Sequence, residues 1–125
     1  MALSDLDQLL AAGVEIDGMR VVASRVPLDS PKTLREIGDK IRDKMPSGII
    51  VLGGEFDGKA ALLAMVSKEL TDRVKAGELV NRVAMIVGGK GGGRPDMAQA
   101  GGPMPDKLDE AMGSVVSIIK GIGRV

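Results

Sequence analysis

The sequence predicts an α+β domain in which helices pack on one small mixed sheet in two layers. Three observations predict it. The chain has 125 residues, enough for one domain with a real core and too few for two ordinary ones. Segments with apolar residues at helical spacing alternate with short apolar runs bounded by Gly, Pro and Asp. Apolar residues are 44% and charged residues 27%, as in globular proteins.

Taken in order, the expected elements run α, β, α, β, β, α, α. Leu3 to Ala12 reads as a helix with Leu3, Leu6, Leu9 and Leu10 on one side, stopped by Gly13. It has the look of the stump of a longer helix. Val14 to Val26 reads as strand, with an Asp17-Gly18 turn signal near its start. Ser30-Pro31 is a helix opening, Ser as N-cap and Pro at the first helical position. Leu34, Ile37, Ile41 and Met45 then form one buried stripe, and the intervening charges, Lys32 and Arg35 among them, a solvated face. Pro46-Ser47-Gly48 ends this helix. Ile49 to Leu52 is wholly apolar, as a central strand requires. Ala60 to Val66 has helix-favouring composition. Its length and the Asp57-Gly58 turn before it favour a hairpin partner, and it is assigned as strand. Ala76, Leu79, Val80, Val83, Ala84 and Val87 form a helical stripe. Pro105 opens a last helix carrying Leu108, Met112, Val115 and Ile119, and a glycine-rich loop is expected between these last two helices.

What the composition lacks excludes whole classes of chemistry. The chain has no Cys and no His, so thiolate chemistry, zinc–thiolate sites and the usual general base near neutral pH are absent. One aromatic, Phe56, leaves base stacking nearly excluded. Seventeen basic and seventeen acidic residues give zero formal charge, so no bulk field recruits nucleic acid or membrane. No apolar run is long enough to span a bilayer, and the first residues lack the basic start of a signal peptide. A cytoplasmic protein without resident cofactor or metal, and without a membrane partner, is expected.

Glycine is 18 of the residues, and seven of these fall in the fifteen residues 88–102, GGKGGGRPDMAQAGG. A flexible linker is one reading. The specific, mixed Arg94-Pro95-Asp96-Met97-Ala98-Gln99-Ala100 that interrupts the glycines argues for a functional loop. The Walker A pattern fails because Gly91 follows Lys90, and the dinucleotide fingerprint fails because Arg94 or Asp96 stands where its third glycine belongs. Physical capacity remains. Clustered glycines let backbone N–H groups approach a ligand, and Lys90 and Arg94 supply charge for a phosphate. Asp96 is placed to hold Arg94 or to cap a turn, and Gln99 to bond a sugar or base. This is a binding surface and not a reacting one.

GGKGGGRPDMAQAGG resembles the signature of the C-terminal domain of bacterial-type alanyl-tRNA synthetases, a member of the DHH-associated domain family. IIVLGGEFDGKAALLAMVSKELT and AGELVNRVAMIVGG resemble that family too. The resemblance places the globular domain at residues 14–125 and makes residues 1–13 the end of a preceding helical arm. DHH phosphoesterases carry a His in their related glycine motif, and this chain has none. The resemblance implies a fragment that performs no catalysis, cut from an alanine–tRNA ligase whose other domains use ATP, Mg and Zn. It implies contact with the elbow of tRNA(Ala), coupling of aminoacylation with editing, contacts with the other domains, and in some members a homodimer.

The candidate nucleic-acid residues are therefore Lys90, Gly91, Gly92, Gly93, Arg94, Asp96 and Gln99, with Lys75 and Arg82 extending a basic stripe from the preceding helix. Each has a plainer role beside this one. The glycines serve tight packing, Arg94 and Asp96 pair to hold the loop, and Lys75 and Arg82 belong to a solvated helix face. A structural or dimerisation module of the same synthetase is the alternative function. RNA recognition nearly without aromatics relies on shape, phosphates and 2′-hydroxyls.

Overall fold

The computed structural model describes residues 3–122, with side chains described from residue 7 onward. Helix α1 (Leu3–Ala11) is followed by β1 (Val14–Ile16), β2 (Met19–Arg25) and α2 (Lys32–Lys44). Next come β3 (Ile49–Phe56), β4 (Lys59–Val66), a short 3₁₀ turn and α3 (Ala76–Ile86). Strands β5 (Lys90–Gly93) and β6 (Met97–Gly102), a second 3₁₀ turn, α4 (Leu108–Gly113) and α5 (Val115–Ile122) complete the chain. The six strands form one mixed sheet in the order β1-β2-β3-β4-β6-β5, in which only β2 and β3 run parallel.

Two Asp-Gly pairs make the hairpins. Asp17 and Gly18 have φ of 51° and 82°, and Asp57 and Gly58 have 54° and 75°. Two successive residues in the left-handed region form a two-residue turn whose twist matches that of the strands it joins. The first turn divides the segment expected as one strand into β1 and β2, with Ile16 opposite Met19. The second joins β3 to β4, with Phe56 opposite Lys59. Strand therefore wins over helix propensity at Ala60 to Val66, because β4 is paired on both sides, to β3 and β6.

Strand alternation assigns the core residues to two faces. Ile49, Val51, Leu62, Ala64 and Val66 point to one side, where they pack with Leu79, Val80 and Val83 of α3, Leu108 of α4 and Ile119 of α5. Ile50, Leu52, Leu63 and Met65 point to the other, where they meet Leu34, Ile37 and Ile41 of α2. Leu9 and Leu10 of α1 pack at the margin of this second cluster, and Lys44 pairs with Asp7 at 3.5 Å. The α+β class and the mixed sheet are as expected. The layers number three and not two, because strands apolar on both faces need a helix layer on each.

Three local expectations change. The glycine-rich stretch expected as a loop between the last two helices is the hairpin β5–β6, which continues the sheet beyond β4. Its glycines make the close approach tolerable: a Cβ at Gly89 would stand 1.8 Å from the Gly101 carbonyl oxygen. Ser30 makes no side-chain cap. Pro31 occupies the N-cap position of α2, and the Ser30 carbonyl accepts the Thr33 N–H at 3.1 Å. The last helix is broken at Ser114 into α4 and α5.

Candidate functional site

The outer hairpin is covered on one side only. Helix α3 lies across β5 and β6 on the first core's side, closely enough that a Cβ at Gly77 would stand 3.1 Å from the Gly93 carbonyl oxygen. The side chain of Asn81 on α3 accepts the Gly91 N–H at 3.2 Å, which satisfies a donor on the exposed edge of the sheet. The turn is tied down as well. Arg94 N–H bonds the Met97 carbonyl at 3.0 Å, Ala76 N–H the Pro95 carbonyl at 2.8 Å and Val66 N–H the Asp96 carbonyl at 2.9 Å. These bonds fix the segment as part of the domain.

On the other face α2 covers β3 and β4 but stops short of β6. Register fixes which residues point there. Gln99 lies opposite Leu63 of the α2-side core, and Gly92 lies opposite Gln99. One row further, Lys90 lies opposite Gly101, which lies opposite Ala61. Lys90, Gly92 and Gln99 are all exposed, and no atom comes within 4 Å of the place a Gly92 Cβ would take. Gln99 shares a cleft of about 400 Å³ with Pro31, Lys32, Arg35 and Glu36 of the α2 opening. This face offers cations, an amide and a flat glycine floor, the donor set that suits phosphate and ribose oxygens.

The structure brings some of the expected residues together and separates others. Lys90, Gly92 and Gln99 share the open face. Gly91 packs instead toward α3, where its added Cβ would meet Ala100. Arg94 Nε and Asp96 Oδ1 are 3.5 Å apart in the hairpin turn, an exposed guanidinium paired with a half-buried carboxylate. Asp96 also lines a cleft of about 320 Å³ with Arg42, Lys68 and Glu69. Lys75 bonds the Thr71 carbonyl at 3.0 Å and lines a shallower cleft of about 250 Å³ with Gly77, Gly92, Gly93 and Pro95. Arg82 is engaged with Glu78 on α3 at 3.0 Å, on the sheet's other side, and does not extend a stripe to Lys90. Asn81 was invisible to sequence reasoning, since an Asn at one helix position carries no signal of the edge strand it caps. Lys32 and Arg35 read as solvated charges until the register places Gln99 beside them. Among the described residues no group of three or more His, Cys, Asp or Glu is arranged to hold a metal ion, and no helix is long and apolar enough to cross a membrane.

Comparison with known proteins adds to this geometry. The profile of the DHHA1 domain matches residues 18–121. Alanine–tRNA ligases of Ralstonia nicotianae and Cupriavidus necator are 51% and 52% identical to the chain, over 96% and 97% of its length. The chain spans 14% of each of those proteins. Among solved structures, the C-Ala domain of Aquifex aeolicus alanyl-tRNA synthetase superposes with a TM-score of 0.77 at 29% identity, covering 87% of this chain and 98% of that one. A pGpG-specific phosphodiesterase of Vibrio, PggH, shares the fold with a TM-score of 0.53 at 15% identity, over 94% of this chain and 38% of that one.

Proposed function

The chain belongs to the DHHA1 domain family, in the form carried by alanine–tRNA ligases, and we propose that it is the tRNA-binding C-terminal domain of such a ligase. The observation that carries this reading is half-identity to those ligases along nearly the whole chain. The open face of the β5–β6 hairpin supports it, since Lys90, Arg94 and Gln99 are available to a sugar–phosphate backbone beside a glycine floor. In this reading the domain grips the elbow of tRNA(Ala) in the cytoplasm and helps present one tRNA to both aminoacylation and editing. The reactions, with their ATP, Mg and Zn, belong to other domains of the ligase, and this fragment performs no catalysis.

Zero net charge and few contacts make the binding weak, and the phosphate contacts that carry it make it salt-dependent. Titrating tRNA(Ala) onto the chain at several salt concentrations tests it. Affinity is expected to fall with salt, and Lys90→Ala with Arg94→Ala to weaken binding without unfolding the domain. Tight binding that ignores salt defeats the phosphate-contact reading. Met85 and Met104, 67% and 38% exposed near Gly88, favour a second reading as a dimerisation module. Sedimentation with and without tRNA separates the two.

A further inference from the structure

The single aromatic residue of the chain is not in its core. Phe56 is 37% exposed and belongs to neither apolar cluster, although every other strand-borne residue of β3 from Ile49 to Gly54 is buried. It sits at the tip of the β3–β4 hairpin, where Glu55, Asp57, Gly58 and Lys59 are exposed as well. The two-residue turn with left-handed Asp57 and Gly58 holds this tip in one conformation.

Strand parity says which way the tip faces. Ile50 and Leu52 point to the α2 side, and a Cβ at Gly54 would meet Leu28 of that same cluster. Phe56 is the next residue in this series, and Lys59 opposite it is two residues from Ala61. Ala61 in turn leads across Gly101 to Lys90. Phe56, Lys59 and Lys90 therefore stand on one face at one end of the sheet, with Lys59 and Lys90 about 12 Å apart by strand and row spacing. Among the described residues Lys59, Lys90 and Lys32 form no ion pair, while Glu36 and Asp57 lie at the margins of the face.

We propose that the β3–β4 tip extends the RNA-docking face, with Phe56 stacking on an exposed base and Lys59 contacting an adjoining phosphate. This inference rests on the tRNA-binding reading above. The charge complementarity of three unpaired lysines and a flat glycine floor fits a polyanion. A π surface beside those lysines, on a rigid turn, adds the sequence-tolerant contact that a folded RNA corner with an unstacked or terminal base accepts. A preformed tip loses little conformational freedom on binding. Composition alone argues against stacking, but one aromatic suffices when it is exposed and beside the phosphate contacts.

The test is titration of a tRNA(Ala) transcript onto the chain and its variants, with thermal melts of each free protein. Phe56→Ala and Phe56→Leu are expected to weaken binding about 5- to 150-fold, the equivalent of roughly 1–3 kcal/mol for one base–aromatic stack. Phe56→Tyr is expected to retain it. Neither Phe56 loss changes the slope of log affinity against log salt, whereas Lys59→Gln lowers its magnitude by about 0.9 for the lost phosphate contact. A Phe56→Leu variant that binds like the unsubstituted chain, while Lys90→Ala with Arg94→Ala weakens binding, overturns the stacking contact and leaves the tRNA reading standing. An unsubstituted chain that does not bind the transcript overturns both.

Discussion

Gly91 lies opposite Ala100 across the β5–β6 ladder, and a Cβ at position 91 would stand 2.2 Å from the Ala100 Cβ. Cross-strand Cβ atoms in a sheet normally stand about 4.5–5.5 Å apart. Neither side can yield, because β6 is held by β4 on its other edge and α3 presses on the hairpin. Gly91→Ala is therefore expected to destabilise the domain by about 1–3 kcal/mol, as overpacking does. Gly92, one residue away, has open space above it and is expected to accept Ala within about 0.5 kcal/mol. Urea unfolding of both variants measures the contrast, and equal midpoints would mean that the hairpin is looser than its geometry.

Gly58 isolates a conformational cost from a steric one. No atom lies within 4 Å of the place its Cβ would take, yet its φ is 75°. Gly58→Ala is expected to cost about 1–2 kcal/mol, the penalty of an L side chain in the left-handed region. Gly58→Asn is expected to lose less, since Asn tolerates that region through local hydrogen bonds. Thermal unfolding of the pair reads the difference, and an Ala variant as stable as the unsubstituted chain would mean the turn relaxes to another type.

Most of the fold could be read from the chain, and the reasons differ by element. The stripe Leu34, Ile37, Ile41 and Met45 marked α2 because helical spacing repeats over about three turns. The apolar Ile49 to Leu52 marked a central strand, and the Asp57-Gly58 pair decided the ambiguous Ala60 to Val66. Strand β5 was illegible because its three glycines have no side chain to alternate, and β6 because its small Ala98, Ala100, Gly101 and Gly102 lack the branched and aromatic residues that mark a strand. Their identity comes from close backbone approach, which sequence expresses only as an absence of Cβ atoms. The third layer was legible in principle, since β3 and β4 are apolar at odd and even positions alike. The site was half legible. Lys90, Arg94 and Gln99 stood out as polar residues among glycines. That Lys90 and Gln99 share a face with Lys32, Arg35 and Phe56 follows from register and from the position of α2, which no local pattern encodes. Arg82 lies apart from Lys90 because it belongs to α3, on the sheet's other side, where it pairs with Glu78 one helical turn away.

The two cores predict additive mutations. Ile41 lies on the α2 side and Ile119 on the α5 side of the sheet, both fully buried and in separate clusters. Each Ile→Val change is expected to cost about 0.5–1.5 kcal/mol. With the sheet between them and no shared partner, the double variant should equal the sum within about 0.5 kcal/mol. Chemical denaturation of the four proteins checks this. A larger deviation would mean that strain passes through β3 and β4, whose side chains alternate between the two layers.

Glu69 predicts a pH effect with a definite sign. The Ser47 hydroxyl bonds its carboxylate and holds it below its ordinary value of 4.5, with smaller contributions from its own backbone N–H and the Ser67 hydroxyl. Ser67 also accepts the Gly48 N–H at 2.9 Å, so this network joins the start of β3 to the turn after β4. A depressed carboxylate contributes stability that is present above its unfolded value and lost as pH falls through its folded value. Glu69→Gln should therefore flatten the pH dependence of stability below about 4.5 and leave it unchanged near neutrality. Ser47→Ala should move the Glu69 titration upward, toward the ordinary value, as followed by the carboxyl carbon resonance. A Glu69 titration that does not move in Ser47→Ala would transfer the effect to the backbone and Ser67 bonds.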